Sequence, residues 1–255
     1  MPKNLPENTT LAIVLAAGKG TRMESELPKV LVPVAGRPMI RYVIDAIHSA
    51  GVGRILVVVG YRAELVRAEL STEPKIEFAE QHEQLGTGHA VMMCRDQLSQ
   101  HQGPVLIVAG DSPLLQAESI SRLLENFSAA DCDCVIGTVD KENPIGYGRI
   151  VRNQAGEFVG IVEEKDASPD QRELCEVNVS TYLFDSQALL FALNQLTDEN
   201  AQKEYYITDC PAVLFAAGKR VMAEKVLQPC ESMSINNRDE LALVEAAIQS
   251  MSPSN

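Results

Sequence analysis

The sequence predicts an α/β fold: a Rossmann-like mixed, mostly parallel sheet with helices on both faces. Three observations predict it. Near-continuous apolar runs of strand length recur through the first half of the chain, as in TLAIVLA (10–16), RILVVV (54–59) and PVLIVA (104–109). Strands buried on both faces read this way, without alternation. Stretches with helical spacing separate the runs, giving a βαβ rhythm. Each run then stops at a small-residue or glycine turn, where open α/β sheets bind their ligands.

In chain order, 10–16 is the first strand and runs directly into a glycine-containing turn. Apolar residues at Ile40, Val43, Ile44 and Ile47 predict a helix over 39–50, ended by Gly51. The β-branched run 54–59 is a strand closed by Gly60, and 63–70 a helix. A short strand over 76–79 precedes a helix over 88–98, and 104–109 is a buried strand stopping at Gly110-Asp111. In the second half, 149–151 and 158–163 flank Asn153-Gln-Ala-Gly156 as a β-hairpin. A strand over 176–184, helices over 186–196 and 206–217, a strand over 221–226 and a helix over 239–250 complete the reading. In that last helix Leu241, Val244 and Ile248 share one face. No linker or internal repeat interrupts the chain, so residues 10–251 are expected to form one domain between short tails at 1–9 and 252–255. Three segments after strand ends (17–29, 81–88 and 110–113) are expected to converge.

Charge narrows the function classes. The 255 residues hold 22 Lys and Arg against 35 Asp and Glu, a net charge of −13. That excludes nucleic-acid binding through a broad basic surface. The first 41 residues run the other way, with Lys3, Lys19, Arg22, Lys29, Arg37 and Arg41 against three acidic residues. An anionic ligand is therefore sought there first. No apolar run approaches the ~20 residues that cross a bilayer, and the polar start lacks a signal-peptide apolar segment. A cytoplasmic protein is expected, with its six scattered cysteines reduced and serving as small buried hydrophobes. Cys132-Asp-Cys134 has no second pair to make a zinc site, and the four histidines show no ligand spacing.

The segment Leu15-Ala-Ala-Gly-Lys-Gly-Thr-Arg-Met23, followed by Leu27-Pro-Lys-Val30, fits neither a Walker A loop nor a dinucleotide fingerprint. Small residues directly after a strand still let backbone N–H groups approach phosphate oxygens. Arg22 can fork onto a phosphate and Lys29 can supply a point charge. Asp111, after an apolar strand, suits either a Mg²⁺ ligand or a turn or helix cap.

The first of these segments closely resembles the signature of the sugar-phosphate nucleotidyltransferases, and the resemblance continues in family order. It takes in Gln81-His-Glu-Gln-Leu-Gly-Thr-Gly-His-Ala90, Gly110-Asp-Ser-Pro-Leu114, Gly146-Tyr-Gly-Arg149, Ile161-Val-Glu-Glu-Lys-Asp166 and Asn178. It ends with Asn200-Ala-Gln-Lys-Glu-Tyr-Tyr-Ile-Thr-Asp209 and Ile235-Asn-Asn-Arg238. Within the family these look most like the N-acetylglucosamine-1-phosphate uridyltransferase domain of a bifunctional enzyme. The left-handed β-helix acetyltransferase of that enzyme has no counterpart in this sequence, so neither acetyl transfer nor β-helix trimerisation is expected. After Asn178 the chain reads Val-Ser-Thr, where the family has a glycine nearby.

The resemblance implies the nucleotide-diphospho-sugar transferase type of fold, with the hairpin as a small sugar-binding region. It implies Mg²⁺ as cofactor and, as reaction, in-line attack of a sugar-1-phosphate on the α-phosphate of UTP, giving UDP-N-acetylglucosamine and pyrophosphate. Arg22, Lys29 and Asp111 would be catalytic, with Asp111 and Asn236 holding the metal. Asn236 could also cap the last helix, a role Asn237 could fill. Ala17, Gly18, Gln81, Gly86 and Thr87 would contact the nucleotide. Gly148, Glu163 and Asn178 would bind the sugar, with Tyr206 and Thr208 flanking it. Glu163 and Glu164 are neighbours on an expected strand, so one faces the site and the other is expected to be a solvated charge. The nucleophile is ionised at neutral pH, so no general base is required. Expected partners are small-molecule substrates, with no nucleic acid and no membrane; the oligomeric state stays open. Two alternatives remain: a UTP- or dTTP-dependent enzyme for another sugar-1-phosphate such as glucose-1-phosphate, and a silent nucleotide-sugar-binding module.

Overall fold

A computed structural model describes residues 10–20, 26–73, 75–235 and 237–251. The apolar run at the start forms β1 (Leu11–Ala16), which pairs in parallel with β4 (Arg54–Val59) on one side and β6 (Pro104–Ala109) on the other. The short hairpin β2 (Pro33–Val34) and β3 (Arg37–Pro38) lies outside the main sheet. Beyond β4 comes β5 (Ile76–Glu80), again parallel. The other half holds β7 (Cys134–Asp140), β8 (Gly148–Arg152), β9 (Phe158–Val162), β10 (Glu176–Asp185) and β11 (Val221–Glu224). The described sheet runs β11-β7-β10-β6-β1-β4-β5, with β8 pairing β10 and β9 pairing β8. Strand β10 is antiparallel to β6, β7 and β8, while β7 and β11 are parallel. The sheet is mixed and mostly parallel, as predicted, and the hairpin β8–β9 extends it.

Two cores sit on its faces. Along β1 the side chains alternate: Ala12, Val14 and Ala16 enter one core, Leu11 and Ile13 the other, and all are buried. The first core is covered by α1 (Met39–Ser49), α2 (Ala63–Glu69) and α5 (Ala117–Ala130). The second is covered by α3 (Thr87–Met92), α4 (Arg95–Ser99), α7 (Ser186–Leu193) and α8 (Asp209–Ala216). The short α6 (Pro169–Arg172) contributes no buried residue. The last helix, α9 (Arg238–Met251), buries Val244 against Val32, Val34, Met39, Leu114 and Ile235, with Leu241 and Ile248 at the edge. Its capping falls to Asn237, whose Oδ1 accepts from Glu240 N at 2.9 Å.

Several elements depart from expectation. Helix α5 and strand β7 fill a stretch to which the sequence reading assigns no element; in β7 the apolar run is interrupted by Gly137, against which Leu227 packs. The helix expected over 88–98 is broken in two. Met93 N and Cys94 N bond to Ala90 O and Val91 O, tightening the chain into a 3₁₀-type turn between α3 and α4. The helix expected from 206 starts at Asp209; just before it the chain bonds three residues apart, Asp209 N to Tyr206 O and Cys210 N to Ile207 O, and Ile207 N donates to the Thr87 hydroxyl at 3.1 Å. Cys94, Cys132, Cys134 and Cys210 are buried as expected, whereas Cys175 is exposed and Cys230 is half-buried; all six are free thiols.

Candidate active site

The three strand-end segments do converge. Their described residues line one side of a cavity of about 410 Å³ at the carboxyl ends of β1, β5 and β6, with Ala17, Gly18, Lys29, Gln81, Gly86, Thr87 and Asp111 all at its wall. Arg22 lies outside the described residues. A second cavity of about 190 Å³ opens beside it, lined by Gly148, Glu163 and Asn178 together with the segment Glu231–Ile235. Lys29, Ala109, Asp111 and Ser180 line both, so the two cavities meet at these four residues. All three expected sugar residues fall in one cavity and all five expected nucleotide residues in the other.

Local structure explains each placement. Lys29 opens a 3₁₀ turn whose next two residues, Val30 and Leu31, are buried and anchor it. Gly20, with φ +66°, lies against the Lys29 stem; a Cβ there would stand 2.6 Å from Lys29 Cβ. Asp111 follows β6 at Gly110, whose N–H donates to Leu15 O at 2.9 Å and so pins the turn to β1. Asp111 does not cap α5: that helix follows Gln116, whose N–H is taken by Glu231 Oε1 at 3.0 Å. Asp111 and Lys29 meet directly, Nζ to Oδ2 at 2.6 Å, with both side chains partly exposed.

Gln81 is buried, and its Nε2 donates to Gly86 O at 3.0 Å and lies 3.1 Å from His89 Nδ1. Its amide nitrogen therefore serves the protein, and Oε1 is the group left for a ligand. Gly86 precedes α3 at φ +105° and ψ 176°, backbone that essentially only glycine adopts. The segment Glu204–Tyr205 backs this turn: Tyr205 N donates to Leu85 O at 2.8 Å and Gly88 N to Tyr205 O at 2.7 Å. Two motifs distant in sequence thus form one wall.

Glu163 follows β9 and accepts from the Thr208 hydroxyl at 3.0 Å. Burial pushes its carboxyl above the usual carboxylate range, and the Thr208 hydrogen bond partly opposes this. Thr208 therefore acts through Glu163, while Tyr206 lies outside both cavities and its hydroxyl accepts from Gln202 Nε2 at 2.8 Å. Glu164 is not simply a solvated charge. It pairs with the fully buried Arg149 at 2.8 Å and accepts from Gly146 N at 3.1 Å, tying the hairpin to the 146–148 turn.

Sequence reasoning missed several residues. Gln84 lines the larger cavity and its Nε2 donates to Ala17 O at 2.9 Å; the second Gln of Gln81-His-Glu-Gln84 was the available signal. Ser180, Ser232 and Ser234 carry no local signal. Asn236 lies outside the described residues. Among the described residues no three His, Cys, Asp or Glu side chains cluster to hold a metal. One carboxylate at the junction of the two cavities fits Mg²⁺, which keeps waters and takes its remaining oxygens from substrate phosphates. Asp111 would hold it.

The family model for the MobA-like NTP transferase domain matches residues 12–206. The chain belongs to this family. It is 44% identical over 241 residues to the bifunctional protein GlmU of Streptococcus mutans, covering 94% of this chain and 52% of that protein. It is 45% identical over 238 residues to GlmU of Heliobacterium modesticaldum, covering 93% and 52%. The chain thus spans about half the length of these curated relatives. Among solved structures, a Bacillus anthracis protein described as a glucose-1-phosphate thymidylyltransferase, in complex with sucrose, superposes with a TM-score of 0.77. It covers 96% of this chain and 98% of its own at 18% identity, a likeness of fold alone. Family membership makes this chain a nucleotidyltransferase, and no helix among the described residues is long and apolar enough to cross a membrane.

Proposed function

We propose that the chain forms UDP-N-acetylglucosamine and pyrophosphate from UTP and N-acetylglucosamine-1-phosphate. The observation that carries this reading is the meeting of two cavities at Lys29 and Asp111. The reaction joins a nucleotide to a sugar phosphate, so its reacting phosphates belong where the two sites touch. The names of the curated relatives support the same reading.

The residues then act mainly by placement and charge, as phosphoryl chemistry requires. Ala17 and Gly18 bring backbone to the nucleotide. Gln81 Oε1 accepts an imide N–H, which uracil and thymine carry and cytosine does not. The Lys29 ammonium leaves Asp111 for the phosphates and, with Arg22, bears the charge that builds at the α-phosphorus. Asp111, with Asn236, would hold Mg²⁺, which would supply neutralisation of phosphate charge. Glu163, Asn178 and the Gly148 backbone hydrogen-bond the sugar hydroxyl and acetamido groups. The test is pyrophosphate release with UTP and dTTP crossed against N-acetylglucosamine-1-phosphate and glucose-1-phosphate. Faster turnover with glucose-1-phosphate would replace the substrate; binding without turnover on any pair would leave a silent nucleotide-sugar module.

A further inference from the structure

Strand β10 leaves regular pairing where it passes the junction of the two cavities. Its register against β7 shifts between Asn178 and Tyr182, and Ser180 lies between them at φ +59°. Glycine adopts that backbone freely and serine does not. Irregularities of this kind re-aim side chains beside functional sites. Here the bulge closes a hydrogen-bonded ring on itself. The Tyr182 ring is fully buried and lines neither cavity. Its phenol accepts from Asn178 Nδ2 at 2.8 Å. Ser180 N donates in turn to Asn178 Oδ1 at 3.2 Å.

Both ends of the Asn178 amide are assigned by this ring. Flipping the amide would set its NH₂ against the Ser180 N–H, donor against donor. A primary amide carries two N–H donors and two acceptor lone pairs. The ring takes one of each and leaves one donor and one acceptor, in a fixed sense, for the cavity that Asn178 lines.

We propose that Tyr182 and Ser180 are positioning residues that lock the Asn178 amide in one orientation toward the second cavity, and so set affinity for the sugar and not for the nucleotide. This rests on the sugar assignment of that cavity. The test compares wild type, Tyr182→Phe, Asn178→Ala and the double variant by calorimetry with UDP and with UDP-N-acetylglucosamine, and by steady-state kinetics. In Tyr182→Phe the gain in affinity from the sugar falls roughly three- to tenfold, the worth of one neutral hydrogen bond. KM for the sugar phosphate rises by the same factor, while UDP affinity, KM for UTP and kcat hold within about twofold. Tyr182→Phe keeps the buried ring and with it the packing; made together with Asn178→Ala it adds no further loss of sugar affinity, because it acts through that amide. A purely structural ring would change both ligands alike, or neither, and that result overturns the proposal. A wild-type gain from the sugar that survives both substitutions overturns it alone. A wild type that gains nothing from any sugar overturns the functional reading with it.

Discussion

Replacing Gly86 with alanine tests how the wall of the larger cavity is built. Two separable terms act there. The backbone at φ +105° and ψ 176° is in a region that non-glycine residues reach only at about 1–3 kcal/mol. The added Cβ would stand 2.5 Å from Tyr205 O and 2.9 Å from Tyr205 N and Glu204 Cβ, so backbone and stem must move. Overpacking of that kind costs about 1–3 kcal/mol more. The sum, about 2–6 kcal/mol, is a large part of the ~5–15 kcal/mol that holds a domain together. Gly146→Ala isolates the first term, since φ is +87° there and nothing lies within 4 Å of an added Cβ; about 1–2 kcal/mol is expected. Urea unfolding of the three proteins, compared at a common m-value, reads both differences. Gly86→Ala within about 0.5 kcal/mol of wild type, or no worse than Gly146→Ala, would refute the claim that Tyr205 is packed against this turn.

Asp111→Asn should lower kcat by roughly 10²–10³ with little change in melting temperature, because its ion pair with Lys29 is partly exposed and worth at most ~1 kcal/mol; near-normal turnover would place the metal elsewhere. Glu163→Gln should weaken sugar binding yet stabilise the fold at pH 7.5 by on the order of 1 kcal/mol. Burial raises the folded-state pKa of Glu163, so ionising it disfavours the folded state as pH rises through the window above the ordinary carboxylate value. The advantage of the glutamine should therefore fade on acidification toward that ordinary value, and thermal melts that keep a constant gap would contradict the sign. Arg149→Met removes a buried guanidinium from its partly exposed partner Glu164 and should cost about 1.5–3 kcal/mol; chemical denaturation within about 0.5 kcal/mol of wild type would show that Glu164 needs no partner.

Legibility in the sequence followed how local each signal was. Strands β1, β4 and β6 announce themselves as apolar runs because both faces are buried, and the residues after their ends line the larger cavity. Lys29, Gln81, Gly86 and Asp111 were reachable because short motifs hold them directly after strands. What escaped depends on partners far along the chain. Glu231 anchors the start of α5 by accepting from Ser119 and from Gln116 N across more than a hundred residues. The bulge at Ser180 leaves no period to read, since Asn178, Ser180 and Tyr182 are spaced as in any strand. Glu164 was read by its charge, whereas its place is decided by Arg149, which is buried.

We propose that the two cavities meeting at Lys29 and Asp111 join a uridine nucleotide to an N-acetylated sugar phosphate. Initial rates of pyrophosphate release with Mg²⁺, measured for UTP and dTTP against N-acetylglucosamine-1-phosphate and glucose-1-phosphate, test it most directly. The highest kcat/KM is expected for UTP with N-acetylglucosamine-1-phosphate, and that rate should be lost in Asp111→Asn. Equal or faster turnover with glucose-1-phosphate, or no turnover with any pair, would contradict it.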